Sequence, residues 1–249
     1  MDIDFPLMLT TAVLVCGIVW LIDAIAFKRR RADEAPEPKL VEYARSFFPV
    51  LLIVLVLRSF LAEPYRIPSE SMVPTLDVGD FILVNKYAYG LRLPVIGTKI
   101  LSIGDPARGD VMVFVPPHEP RYFIKRVIGV PGDHLVYRDQ TLTINGEQVP
   151  VELVEEITID GRTVKVCNET LGGRRHRIYR YPGYFERPQE KVVPEGHYFM
   201  MGDNRGASDD SRDWGFAADH NVVGKAVAIW MHKEPGLNWP TFARNGAIE

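Results

Sequence analysis

The stretch Tyr122-Phe123-Ile124-Lys125-Arg126-Val127-Ile128-Gly129-Val130-Pro131-Gly132-Asp133 decides how the chain folds. Aromatic and β-branched residues run into Pro-Gly-Asp, which cannot continue a ladder, so residues 122–130 read as a strand closed by a turn. Alternation along a strand places Phe123, Lys125 and Val127 on one face and Ile124, Arg126 and Ile128 on the other. A lysine therefore shares a face with apolar side chains. Outward from this strand, runs of the same character recur: Phe81-Ile82-Leu83-Val84, then 111–115, 134–137, 141–144, 197–201 and 222–231. Asn145-Gly146 and Asp160-Gly161 sit between alternating runs, the strongest short-range hairpin signal. Gly-Asp occurs five times and marks turns that lead into strands. No helical period is sustained here, and no internal repeat is visible. These residues predict a mainly β fold built on antiparallel sheet.

The N-terminal part obeys different rules. Residues 5–27 form an apolar stretch of 23 with one formal charge, Asp23. At about 1.5 Å per residue it can cross a hydrocarbon core of roughly 30 Å. The basic cluster Lys28-Arg29-Arg30-Arg31 follows the stretch instead of preceding it, so this is a retained anchor, not a removed leader. Residues 46–62 form a second apolar run, short for a span, with Arg58 near its end, from which its head can snorkel to the interface. A buried core helix is the other reading of that length. Six Lys/Arg lie between the runs, in 28–45, and few flank them. The positive-inside rule then puts this basic linker in the cytoplasm and the rest outside. The expected organisation is a first transmembrane anchor over 1–27, a cytoplasmic basic linker over 28–45, a second transmembrane helix over 46–62, and an extracytoplasmic domain over 63–249.

Composition excludes several classes. With 47% hydrophobic and 24% charged residues the chain is too apolar for disorder and too polar for a polytopic transporter. A net charge of −3 offers no global field for nucleic acid. Cys16 and Cys167 lie in dissimilar surroundings, which excludes a disulfide framework. The six histidines are scattered, without His-Glu-x-x-His or Cys-x-x-Cys, so nothing calls for a metal or cofactor.

Three segments carry chemistry. In Ile67-Pro68-Ser69-Glu70-Ser71-Met72-Val73-Pro74-Thr75-Leu76, close after the second apolar run, two prolines hold two serines in stiff, extended backbone; a plain loop reads the same way. Lys125 is either a strand lysine that snorkels to water or a buried lysine whose charged form is disfavoured, able to act as a base near neutral pH. Gly202-Asp203-Asn204-Arg205-Gly206-Ala207-Ser208-Asp209-Asp210-Ser211-Arg212-Asp213-Trp214-Gly215 is either a solvated loop or an internally satisfied ion network, with Trp214 anchoring it in the core.

In this order, and after two apolar runs, the three segments resemble the bacterial type I signal peptidases (leader peptidases), the Ser-Lys proteases of family S26. The likeness rests on Ser-x-Ser-Met-x-Pro-Thr-Leu, Lys-Arg-x-x-Gly-x-Pro-Gly-Asp and Gly-Asp-Asn-Arg-x-x-Ser-x-Asp-Ser-Arg-x-x-Gly, and covers roughly 47–231. It implies that Ser71 is the nucleophile and Lys125 the general base of an acyl-enzyme mechanism. Ser69 would complete an oxyanion hole, Ser208 would orient the Lys125 amine, and Asp210 and Arg212 would hold their loop as a structural pair. Ile67, Pro68, Met72, Leu76, Phe123 and Ile124 would line substrate pockets suited to the small residues of Ala-x-Ala cleavage sites. The resemblance also implies a smaller β lobe inserted at about 138–195, with Gly172-Gly173-Arg174-Arg175-His176 as its most loop-like stretch. Partners would be preproteins with signal peptides, membrane lipid and the secretion translocon, with no nucleic acid. The site would face the periplasmic or extracytoplasmic side of a bacterial inner (cytoplasmic) membrane. Gly206-Ala207 departs from the Asp-Asn common in Gram-negative relatives, and Cys167 has no disulfide partner in the outer domain. Ser-x-x-Lys, Lys-Thr-Gly and Gly-x-Ser-x-Gly are all absent, which excludes penicillin-binding and α/β-hydrolase relatives. A catalytically silent, membrane-anchored β-rich binding module associated with export is the alternative.

Overall fold

In the computed structural model, which describes residues 5–27, 37–93, 98–184 and 187–248, two apolar helices precede a domain made almost entirely of strands. Helix α1 (Phe5–Ile22) runs on through a π-helical turn (Asp23–Phe27), and α2 (Lys39–Phe60) packs against it. Gly17 permits the close approach, since a Cβ there would lie 2.8 Å from the Phe48 ring. Trp20 packs on the same ring, with centroids 5.5 Å apart. Both helices are long and apolar enough to cross a membrane. The basic cluster at 28–31 lies outside the described residues, as does the linker up to 36.

The second helix differs from the expected 46–62. It starts at Lys39, directly after Pro38 in extended conformation, and is replaced by strand from Ala62. Its 22 residues span about 33 Å, so the helix is not short for a span. Arg58 does not stand free at an interface. Its Nε donates to Glu63 Oε1 at 2.9 Å, and the same carboxylate accepts from Tyr65 Oη and Lys86 Nζ, each at 3.1 Å. A buried carboxylate needs such partners, so the end of α2 is fastened to the β domain.

The strands in chain order are β1 (Ala62–Arg66), β2 (Asp80–Asn85), β3 (Leu91–Arg92), β4 (Lys99–Leu101), β5 (Val111–Phe114), β6 (Phe123–Gly129), β7 (His134–Arg138), β8 (Thr141–Ile144), β9 (Glu147–Gln148), β10 (Val151–Ile159), β11 (Arg162–Leu171), β12 (Arg174–Arg180), β13 (Gln189–Val192), β14 (His197–Met201), β15 (Ala217–Ala218), β16 (Val222–His232) and β17 (Gly246–Ala247). Among the described residues a short α-helix, α3 (Ser211–Trp214), and two 3-10 turns, Glu70–Met72 and Asp219–Asn221, interrupt them. The main sheet has the order β1-β2-β16-β5-β6-β14-β15, with β17 also on β16, and its pairings are antiparallel. All seven expected strands are present. The fold is mainly β, as the patterning predicted.

The inserted lobe lies between β6 and β14, which are neighbours in the main sheet. It contains a four-stranded sheet, β13-β7-β8-β9, and a three-stranded one, β10-β11-β12. Because β7 pairs with β13 and not with the main sheet, the lobe begins at His134, earlier than the expected 138. Gly172 and Gly173, at φ +57° and +79°, make the two-residue turn of the β11–β12 hairpin. Arg174, Arg175 and His176 are the first residues of β12, not loop. Its inward positions, His176 and Ile178, alternate with arginines, so the strand lacks the β-branched lettering that marks the others.

Candidate active site

The Ser71 segment is set by its neighbours. Beyond β1 the chain stays extended through Ser69 (φ −136°, ψ 160°), then makes one 3-10 turn, Glu70–Met72, that carries Ser71. The stiffness expected from the flanking prolines thus holds up to Ser69 only. Asn204 fixes the turn, its backbone N–H donating to the Ser71 carbonyl at 3.1 Å and its Nδ2 to the Glu70 carbonyl at 3.2 Å. Ser71 is 8% exposed.

Lys125 is the third residue of β6, whose residues are all buried and which pairs with β5 over 123–126 and with β14 over 126–129. Lys125 is 4% exposed. Its Nζ lies 2.5 Å from Ser71 Oγ and 5.4 Å from the centroid of the Phe123 ring. Burial disfavours the ammonium and brings the lysine down to about 8. The carboxylates of Asp210, Asp209 and Asp203 work against this, and Arg212 reinforces it.

Ser69, expected to complete the oxyanion hole, is exposed and its Oγ is 3.4 Å from Ser71 Oγ. Ser208 does not make the contact expected of it. Its hydroxyl is buried and turned to the Asp210 carboxylate, which it helps keep ionised, and Lys125 spends its contact on Ser71. The tight packing around Gly202 explains the constraint: a Cβ there would lie 2.3 Å from both Ser208 Oγ and the Ser71 carbonyl oxygen.

Asp210 and Arg212 form the expected pair, with Nε–Oδ1 and Nη2–Oδ2 both at 2.8 Å. Although burial opposes it, the Arg212 guanidinium keeps the Asp210 carboxyl below the ordinary range. Asp210 also accepts the Gly202 N–H at 3.0 Å and caps α3. The loop is not satisfied from within, however. Arg205 pairs with Glu169 of β11 (Nη1–Oε1 2.8 Å), and Asp203 with Arg126 of β6 (Nε–Oδ1 2.9 Å, Nη2–Oδ2 2.7 Å). Residues 203 and 205 also exchange backbone bonds with Tyr179 of β12. The inserted lobe and the Ser71 turn are therefore joined through 203–205. Arg126 has a legible signal, a cation on the Ile124/Ile128 face of a strand. Glu169 has none, because its partner is 36 residues away.

The candidate substrate residues divide. Ile67, Met72, Leu76 and Ile124 pack in one apolar cluster, and Met72 and Leu76 have no exposed surface. Pro68 is exposed. Phe123 belongs to a different cluster with Phe114, Val127 and Met200, since neighbouring residues of a strand face opposite ways. It flanks Lys125 instead of sharing a pocket with Ile124. Trp214 packs on Phe114, with centroids 5.8 Å apart. Among the described residues no cluster of three or more His, Cys, Asp or Glu is arranged to hold a metal.

Comparison with known proteins fits this geometry. Residues 40–231 match the family described as signal peptidase, peptidase S26. The chain is similar to "Signal peptidase I" of Pseudomonas aeruginosa, 49% identical over 283 aligned positions covering 100% of both chains. It is 47% identical to the protein of that name from Pseudomonas fluorescens, again over 100% of each. The Haemophilus influenzae protein is 35% identical over 86% of this chain and 76% of its own length.

Proposed function

The chain belongs to the S26 family of signal peptidases, and from that premise we propose that it removes signal peptides from exported preproteins through an acyl-enzyme on Ser71, with Lys125 as the general base. The observation that carries this reading is the 2.5 Å contact between a buried amine and the Ser71 hydroxyl. A serine hydroxyl is a poor nucleophile until a base takes its proton. A lysine amine can accept a proton only when neutral, and a pKa of about 8 leaves a usable neutral fraction near physiological pH. Ser71 Oγ attacks the scissile carbonyl as its proton passes to Lys125 Nζ. The oxyanion is held by the Ser69 hydroxyl and the Ser71 backbone N–H, each donor contributing about 3–4 kcal/mol by analogy with other oxyanion holes. Lys125 then protonates the leaving amine and activates the water that releases the acyl group.

Substrate enters extended, between the 67–71 segment and the start of β6, and adds backbone hydrogen bonds as a strand would. Tyr65 and Tyr122 meet edge-on at 5.5 Å beside this path. The surface formed over Ile67, Met72, Leu76 and Ile124 is already packed, which favours a small side chain such as alanine. Two apolar helices support a membrane anchor, and the basic linker between them supports a cytoplasmic loop with the β domain on the extracytoplasmic side. Leu237, Trp239 and Phe242 are exposed on the segment after β16 and fit contact with lipid. This brings the site to the membrane surface, where signal peptides leave the translocon.

The test is preprotein processing by the full chain in proteoliposomes. Ser71→Ala and Lys125→Ala are each expected to abolish cleavage while the protein remains folded and inserted. Ordinary cleavage rates in either variant would reject the dyad, whereas a parent chain that cleaves no preprotein would leave the tethered binding module.

A further inference from the structure

The loop joining β5 to β6, residues 115–122, turns one side chain back over the site. His118 stacks on Trp214, with ring centroids 5.7 Å apart and planes at 23°. It also meets Phe123 edge-on, at 5.6 Å and 89°. Its Nε2 lies 3.3 Å from the Asp209 carboxylate. Phe123 is the ring 5.4 Å from Lys125 Nζ, and Asp209 is one of the carboxylates that act on that amine. The imidazole takes no part in the chemistry above. It nevertheless touches both the apolar wall of the lysine pocket and a charge beside it.

We propose that His118 is a positioning residue that closes the Phe123 side of the Lys125 pocket to water and partners the Asp209 carboxylate. The inference rests on Lys125 being the base. The charged groups around the amine make His118 the variable element. From the 203–212 segment, Asp203, Asp209 and Asp210 favour the ammonium and Arg212 disfavours it. Asp203 is bound to Arg126 and Asp210 to Arg212, both deep in the fold. Asp209 is half exposed, and its contact is the His118 ring, with Nε2 at 3.3 Å. From the loop itself, Arg121 lies over the Phe123 ring at 5.2 Å and is paired with Glu119. With the imidazole gone, water reaches the edge of Phe123, and the Asp209 carboxylate loses the ring contact that holds it in place and is free to approach the amine. Both changes stabilise the ammonium, so the base stays protonated to higher pH.

The experiment measures kcat/KM from pH 5 to 10 on the full chain in detergent micelles. In His118→Ala the acid limb is expected to move up by about half a unit to one unit, which lowers activity about three- to tenfold at pH 7 and leaves it equal to the parent near pH 10. His118→Phe keeps the stack and is expected to recover at least half of that displacement. Asp209→Asn is expected to move the limb down. An unmoved limb in His118→Ala, or a loss equal at every pH, overturns the proposal. So does a phenylalanine variant indistinguishable from alanine. A parent enzyme with no acid limb counts against Lys125 as the base, whereas a parent limb that His118→Ala leaves in place counts against His118 alone.

Discussion

Replacing Lys125, the proposed base, with methionine is expected to make the protein inactive and more stable. Lys125 is 4% exposed, and burial takes it from 10.5 to about 8. At about 1.4 kcal/mol per pH unit, that gap costs the folded state about 3 kcal/mol wherever the lysine is charged in both states. The sign follows from proton binding. Below about pH 8 folded and unfolded chains both hold the proton, and the penalty is complete. Between about 8 and 10.5 only the unfolded chain holds it, so the parent gains stability as pH rises and the penalty fades. Methionine has similar length and no charge to desolvate. Its loss of the hydrogen bond to Ser71 returns about 1 kcal/mol, leaving a net gain of about 2 kcal/mol at pH 7. For a domain of this size that is roughly 4–8 °C in Tm. Thermal unfolding of Lys125→Met and parent, followed by circular dichroism in detergent at pH 7 and pH 10, measures it, and other titrating groups cancel in the difference. A variant no more stable at pH 7, or an advantage that does not shrink towards pH 10, would refute the claim that desolvation sets this lysine's charge.

Three further outcomes follow from the same geometry. With Lys125 at about 8, about one tenth of the amine is neutral at pH 7, so kcat/KM should rise about tenfold from pH 7 to 9 and fall about tenfold per unit below 7; a flat profile from pH 5 to 9 removes Lys125 as base. Gly202→Ala places a methyl group 2.3 Å from the Ser71 carbonyl oxygen, and the displaced turn should lower kcat by about 100-fold or more, with unchanged kcat showing that the turn can shift without harm. Glu169→Ala strands the buried Arg205 guanidinium and should cost about 3–5 kcal/mol in thermal unfolding; a loss below about 1 kcal/mol would mean that Arg205 finds another partner.

The parts of this molecule legible in the sequence are those governed by local rules. Period-two lettering located β6 and put Lys125 among apolar neighbours. The Gly-Asp and Asn-Gly turns marked strand ends, and uninterrupted apolar runs announced both helices. Where local lettering was atypical, the reading fell short. Strand β12 is written in arginine, and α2 extends seven residues before its apolar run, from Lys39 instead of 46. Arg58, read as a residue facing an interface, is held by Glu63.

By itself the sequence determined a mainly β chain behind two apolar helices, with a serine segment, a strand lysine among apolar neighbours and a polar loop. Those features depend on neighbours a few residues apart. Only the tertiary structure decided that Ser71 Oγ and Lys125 Nζ, 54 residues apart, meet at 2.5 Å. It also decided that Arg205 answers to Glu169, that Ser208 leaves the amine alone, and that His118 stacks on Trp214 beside the lysine. Such contacts are fixed by how sheets close on one another, and the charge of a buried amine is set by the water that closure excludes.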